Sequence, residues 1–153
     1  MSDVAERSVR EVLEEIVGAL GLRGEVEVSR DGEVVTGTVH GEGLGLFIGR
    51  HGQTIDAVQH IAFRVALGRG AGDEGDIRVV IDAEGYRARR ADALQRQADE
   101  ASQDALRYGR PVALDAMTAS ERRLVHEYLR DRNGIETYSE GEEPDRHLVI
   151  APA

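Results

Sequence analysis

The chain of 153 residues contains no cysteine, no lysine and no tryptophan, and only six of its residues are aromatic. Without cysteine, the chain can form no disulfides, no thiolate nucleophile and no cysteine-based zinc site. A Walker A loop is excluded as well, because that motif requires a lysine. The hydrophobic content of 41% therefore consists mainly of Val, Leu, Ile and Ala, which is enough for a packed core.

Long apolar runs and signal sequences are also absent. No apolar run approaches the roughly 18 residues of a membrane span, and the N-terminal sequence has no apolar core of a signal peptide. We therefore expect a cytoplasmic protein. Serines such as Ser102 lie in no nucleophile motif, and His40 and His60 have no partner at metal-ligand spacing. The sequence predicts no enzyme, no metal and no cofactor.

The net charge of −10 argues against a nucleic-acid partner, because phosphate binding draws mainly on cations. The charge is unevenly distributed, however. Residues 1–42, 71–86 and 134–153 together carry −14, whereas residues 43–70 and 87–133 together carry +4. These two least acidic segments contain the motifs described below. All nineteen basic residues are arginines, which suit bidentate phosphate contacts, although high-GC codon usage would favour arginine equally well.

Hydrophobic periodicity predicts a mixed order of helices and strands in the first half of the chain. The predicted elements are a helix over 4–20, strands over 25–29 and 33–40 joined by a turn at Arg30-Asp31-Gly32, a short helical turn from about Gly43, a helix from Gly52 to about Leu67 and a strand over 76–82.

A Gly-x-x-Gly loop precedes the second long helix, in the sequence Ile48-Gly49-Arg50-His51-Gly52-Gln53-Thr54-Ile55. Glycines without Cβ atoms let another backbone approach closely, and the following helix directs its positive end at an anion. We expect Arg50 and His51 to face that guest as donors. The bare tetrapeptide is a weak signal, since it also serves as a plain turn.

With its flanking isoleucines, the segment Ile-Gly-x-x-Gly-x-x-Ile resembles the signature of a KH domain. The predicted order α-β-β-α-α-β resembles the bacterial, type II form of that domain. By this resemblance, the loop clamps a few nucleotides of single-stranded RNA. The residues that it implies for this role are Gly49, Arg50, His51 and Gly52.

A long helix rich in Ala and Arg is predicted from Tyr86 to Tyr108, ended by Gly109 and Pro111. Its apolar stripe is thin, so we expect a connecting helix that packs only lightly. The predicted domains are residues 1–84, a connecting helix over 85–110 and a second domain over 111–153. The stripe comprises Ala91, Leu94, Ala98, Ala101 and Ala105.

The next helix begins with Thr118-Ala119-Ser120-Glu121, a capping-box pattern. Its predicted core side is Leu124, Val125, Tyr128 and Leu129. On another face, arginine or histidine recurs at every fourth position, and these side chains lie one above the next. This face has two interpretations, a binding surface or a solvated face whose Glu127 pairs with neighbouring arginines. The residues concerned are Arg122, Arg123, His126 and Arg130.

This Arg-x-x-x-His pair, followed by Glu-Thr-Tyr-Ser-Glu-Gly at 136–141 and Arg-His-Leu-Val-Ile at 146–150, resembles the small α/β domain named after that pair, the Arg-x-x-x-His domain. The resemblance implies binding of single-stranded nucleic acid. Arg146 lies at the start of a strand, where an exposed position is ordinary. The residues implied in binding are Arg122, Arg123, His126, Arg130 and Arg146.

Together, the two motifs make the chain similar to the bacterial Jag (KhpB) family. The resemblance implies an α+β protein that binds single-stranded RNA, as a post-transcriptional regulator or RNA chaperone linked to cell elongation and envelope growth. It also implies a small KH-only partner protein or self-association. The N-terminal domain of longer Jag proteins is not expected here. A protein-interaction adapter and a single-stranded DNA-binding module remain as alternatives.

Overall fold

The computed structural model describes residues 3–73 and 75–153. The chain divides into two compact units, Met1–Arg87 and Ala88–Ala153, called here the first and the second unit. Within the described residues, no helix is long and apolar enough to cross a membrane.

The first unit follows the predicted order of elements. These are α1 (Val4–Ala19), β1 (Glu25–Asp31), β2 (Val34–His40), α2 (Gly45–Ile48), a 3-10 turn (Arg50–Gly52), α3 (Gln53–Gly68) and β3 (Arg78–Ala83). The hairpin turn lies one residue later than predicted, because Asp31 pairs with Val34 across the strands. Gly32 is the first turn residue, with a φ of +60° that glycine adopts readily.

The three strands form a sheet of order β1-β2-β3, in which β2 pairs antiparallel with β1 and parallel with β3. α1 and α3 pack on one face of this sheet, against alternate residues of β2 and β3. α1 comes very close to β2 at Gly37, where a Cβ would lie 2.6 Å from Leu13 Cδ1 and 2.7 Å from Val9 Cγ1. The largest fully buried side chains of this core are Phe47, Leu13, Ile55, Ile81, Val9, Val35 and Val39.

The second unit is built around α4 (Tyr86–Tyr108), whose first two residues still belong to the first unit. The prediction that this helix packs only lightly was wrong. Leu94, Ala98, Ala101 and Ala105 are all buried, in one cluster with residues of α5 and β6. The stripe looked thin because alanine is small, yet small side chains allow neighbouring elements to approach the helix closely.

The other elements of the second unit are β4 (Val112–Ala113), α5 (Ala119–Leu129), β5 (Ile135–Glu140) and β6 (His147–Pro152). The sheet is antiparallel with order β4-β6-β5. At the start of α5, Thr118 Oγ1 accepts a hydrogen bond of 3.3 Å from the backbone N–H of Glu121, as the capping box predicts. The carboxylate of Glu121 pairs with Arg90, at 3.2 Å.

One residue predicted for the core side of α5 lies elsewhere. Tyr128 is 37% exposed, and its hydroxyl donates a hydrogen bond of 3.0 Å to Asp99. Val125 and Leu129 are buried as predicted, and Leu124 is half-buried. The amphipathic spacing placed Tyr128 on the correct side of the helix, but its polar end extends to the carboxylate at the edge of the core.

Candidate nucleic-acid interface

The glycine loop of the first unit is a left-handed turn between α2 and α3. The φ angles of Gly49, His51 and Gly52 are +76°, +54° and +80°. The backbone N–H of Gly49 donates to Gly45 O at 2.8 Å, and that of Gln53 donates to Arg50 O. These bonds close α2 and start α3, so the side chains of Arg50 and His51 are left exposed at the tip of the turn.

Both glycines are required by contacts within the protein. A Cβ on Gly49 would lie 2.7 Å from the Cβ of Thr54, and one on Gly52 would lie 2.9 Å from Tyr86 Cε1. The sequence predicted that these glycines leave space for an approaching ligand. Instead, side chains of this chain already occupy the space, and Gly52 is buried. The groups that the loop presents to a ligand are therefore chiefly the side chains of Arg50 and His51.

In the second unit, α5 and β5 border an open groove of about 420 Å³. It brings together four of the five residues predicted for binding in this half of the chain, and it leaves out Arg130. The lining residues are Ala119, Arg122, Arg123, His126, Thr137, Tyr138, Ser139, Arg146 and Leu148.

Arg122 does not lie on an exposed face, as the four-residue spacing predicted. The residue is only 8% exposed. Its guanidinium donates to Met117 O at 2.7 Å and to Arg146 O at 3.5 Å, and it pairs with Glu143 at 2.8 Å. The spacing was read correctly, but the chain that leads into β6 covers this part of the helix. Arg122 therefore holds the wall of the groove in place.

The exposed side chains of the α5 face are paired weakly. Arg123 Nε lies 3.2 Å from Glu127 Oε1, and Arg130 Nη2 lies 3.9 Å from the same atom. These are the ion pairs of the solvated-face interpretation. Exposed pairs of this kind contribute little stability, so a phosphate can replace Glu127 at either arginine. The two interpretations are therefore compatible.

His126 and Arg146 are oriented within the groove. The His126 ring contacts the Thr137 hydroxyl through Nδ1, which leaves Nε2 available to a ligand. Arg146 Nη1 donates to Gly141 O at 2.6 Å. Each side chain thus has one fixed contact and retains further polar groups that a ligand can reach.

Tyr138 lines the same groove and was not predicted as a site residue. It is 44% exposed, on the strand that faces the His126 helix. Exposed aromatic rings beside cationic groups are platforms on which unpaired bases stack. The alternating pattern of β5 places residue 138 on the exposed side, and this was the signal available in the sequence.

Comparison with known proteins assigns both units. Residues 6–81 match the KhpA/KhpB KH domain, and residues 92–152 match the Arg-x-x-x-His domain. The chain belongs to the Jag (KhpB) family. The second of these matches includes most of α4, in agreement with the buried position of that helix in the second unit. The KH match ends before Tyr86, the residue that contacts Gly52.

Three relatives in this family are each 33% identical to the chain. The RNA-binding protein KhpB of Lactiplantibacillus plantarum aligns over 98% of this chain and 46% of its own length. For the RNA-binding protein KhpB of Clostridium symbiosum the shares are 92% and 63%, and for that of Bacillus subtilis they are 91% and 66%. The chain therefore spans about half to two thirds of the length of these relatives.

Proposed function

We propose that this chain binds single-stranded RNA, through the glycine loop of its KH unit and the groove of its Arg-x-x-x-His unit. The observation that carries the proposal is the exposed pair Arg50 and His51, held at the tip of a glycine loop at the N-terminal end of α3. The names of the family relatives support RNA as the ligand. The proposed activity is binding, without catalysis.

In the KH unit, Arg50 donates to a phosphate and His51 adds a second donor. The positive end of the α3 dipole favours the same anion. A KH loop clamps about four nucleotides by their backbone. Gly49 and Gly52 contribute by permitting the turn, because their positive φ angles are unfavourable for other residues.

In the Arg-x-x-x-His unit, Arg123, His126 and Arg146 contact the phosphates of a further stretch of strand, and Tyr138 stacks on one base. Arg122 supports this surface from behind through its bonds to backbone carbonyls. Arg130 lies outside the groove and contributes to attraction at longer range. Each surface on its own is small, so we expect each to bind weakly.

The test is binding of a labelled, unstructured RNA 20-mer to the double variant Arg50→Asp with His51→Asp. Aspartate is chosen because it tolerates the positive φ of residue 51. We expect the dissociation constant to rise at least about tenfold at low salt, because cationic phosphate contacts are lost. The matched control is His60→Asp with Arg64→Asp, which changes the same residue types on the exposed side of α3 and should bind like the wild type.

The same assay separates the alternatives. Competition with DNA of equal sequence at a stated salt concentration distinguishes an RNA-binding from a DNA-binding protein. If the loop variant binds RNA normally but loses a protein partner, the chain is an adapter and the proposal is wrong. The family resemblance further supports a cytoplasmic regulator or RNA chaperone in envelope growth, with a small KH-only partner. Crosslinking and sequencing of bound RNA in native cells would test that role.

A further inference from the structure

Tyr86 and Arg87 are the last two residues of the first unit, and they lie beyond the segment that matches the KH family. Both nevertheless contact the glycine loop or the helix that follows it. We infer that Tyr86 and Arg87 form a brace that positions the glycine loop and α3 for RNA, an inference that rests on the proposed function. They are positioning residues and need not touch the RNA themselves.

Tyr86 supports the loop at its second glycine. Its ring packs against the core of the first unit. The position that a Cβ of Gly52 would take lies 2.9 Å from both Cε1 and the hydroxyl oxygen of the ring, which is closer than real Cβ contacts permit. Only glycine can therefore occupy position 52 while the ring is in place. The ring in turn fixes the height at which the loop passes into α3.

Arg87 connects α3 to the outer edge of β3. Its Nε donates to Ile81 O at 2.6 Å, Nη1 contacts Asp56 at 2.9 Å, and Nη2 donates to Gln59 Oε1 at 3.0 Å. Gln59 Oε1 also accepts from Ile81 N at 2.9 Å. Asp56 and Gln59 are three residues apart and hence neighbours on one side of α3. One guanidinium thus ties the first two turns of α3 to the strand.

These bonds occupy the side of β3 that faces away from β2. The N–H groups of Arg78 and Glu84 donate to Glu33 O and Val39 O, so the peptide groups of Ile81 point the other way, because successive residues alternate. Without Gln59 and Arg87, the N–H and C=O of Ile81 would have no partner at that edge. Apolar packing has no direction, whereas these bonds set the angle and register of α3.

Two roles for Arg87 predict different outcomes for Arg87→Lys. A lysine keeps the positive charge but cannot reproduce the planar fork that serves three acceptors. If Arg87 positions α3, RNA affinity should fall about five- to tenfold while the slope of affinity against salt stays unchanged, because no phosphate contact is lost. If Arg87 binds phosphate directly, lysine should retain most of the affinity. That result would overturn the inference. Arg64→Lys, on the exposed side of α3, is the control.

Tyr86 is tested by a double-mutant cycle with Gly52, on the full chain with the same RNA 20-mer. Gly52→Ala should weaken binding about tenfold or more. In a Tyr86→Ala background the same substitution should weaken it several-fold less, because the collision with the ring is gone. Equal losses in both backgrounds would show that the residues are not coupled. Gly68→Ala, with open space around its Cβ position, is the control.

Hydrogen exchange of the amides of residues 49–53 adds a readout that does not depend on RNA. In Arg87→Lys and Tyr86→Ala, these amides should exchange faster under conditions where circular dichroism shows the protein folded. Unchanged exchange would refute the brace even if RNA affinity fell. If the wild type binds no RNA but exchange rises in the variants, the proposed function fails while the brace as a structural device stands.

Discussion

Arg122 and Arg123 are adjacent in the sequence, but their guanidinium groups act in different ways. The side chain of Arg122 is 10% exposed and bonded on several sides, whereas that of Arg123 is 81% exposed and has one loose carboxylate partner. A buried guanidinium with several acceptors sets the position of the backbone around it. An exposed one is free to change partners when a phosphate arrives.

We predict that Arg122→Lys destabilises the second unit by about 1–3 kcal/mol, the range for leaving buried polar groups without a partner. Lysine keeps the charge but cannot bond to Met117 O and Glu143 together. The measurement is the midpoint of thermal unfolding by circular dichroism. Because the chain has two units, the transition must be assigned to the second one, for example by NMR.

Arg123→Lys is the control for this prediction and should unfold like the wild type, since its ion pair with Glu127 is exposed to solvent. The opposite pattern is equally informative. If Arg122→Lys unfolds normally and yet loses RNA affinity, then Arg122 contacts the ligand directly and the structural role assigned to it is wrong.

His40 makes the stability of the first unit depend on pH. Its Nε2 lies 2.9 Å from Glu27 and its Nδ1 lies 3.2 Å from Glu84. The hydrogen bond to Glu27 and, secondarily, that to Glu84 raise the pKa of His40 above its ordinary value of 6.5. The stabilisation is therefore fully present below about pH 6.5 and is lost as the pH rises through the pKa of the folded state.

We accordingly predict that His40→Gln lowers the unfolding midpoint of the first unit at about pH 5.5 and has little effect at about pH 9. The protonated ring donates to both carboxylates, whereas the neutral ring has one N–H. His60→Gln serves as the control, because His60 is exposed and has no carboxylate partner within the described part of the chain. An equal change in midpoint at both pH values would contradict the prediction.

At the scale of elements, α4 depends on small side chains. Ala98 is completely buried in the core of the second unit. We predict that Ala98→Leu destabilises this unit by about 1–3 kcal/mol, because added methylene groups in a packed core force neighbouring side chains to move. Thermal unfolding measures the effect. Ala88→Leu, at an exposed position of the same helix, should change the midpoint far less, and equal effects would show that Ala98 has spare room.

Most element boundaries could be predicted from the sequence, because they depend on local patterns. The apolar spacing that defines α1 and α3, and the Thr118 cap of α5, each involve residues only a few positions apart. The errors arose where a distant segment decided the outcome. Nothing near Arg122 shows that residues 143–146 cover it, and nothing near Gly52 indicates Tyr86. Spacing tells which residues share a face, but it does not tell what packs against that face.

At the scale of the whole molecule, the charge of −10 opposes the binding of any polyanion. The proposed contacts must therefore act locally, at short range. Two weak surfaces in one chain can still bind tightly if a single strand engages both. The second surface then binds at the effective concentration set by the link between the units, with no new contact.

This linkage predicts a step in affinity with RNA length. Short oligonucleotides that fit one surface should bind weakly, and affinity should rise at least about tenfold once a strand is long enough to engage both. Fluorescence anisotropy with a series of roughly 4- to 30-mers at fixed salt would locate the step. Arg50→Asp with His51→Asp should abolish the step and leave the weak binding of short strands to the groove of the Arg-x-x-x-His unit. A smooth rise in proportion to length would instead mean that the two surfaces bind RNA independently.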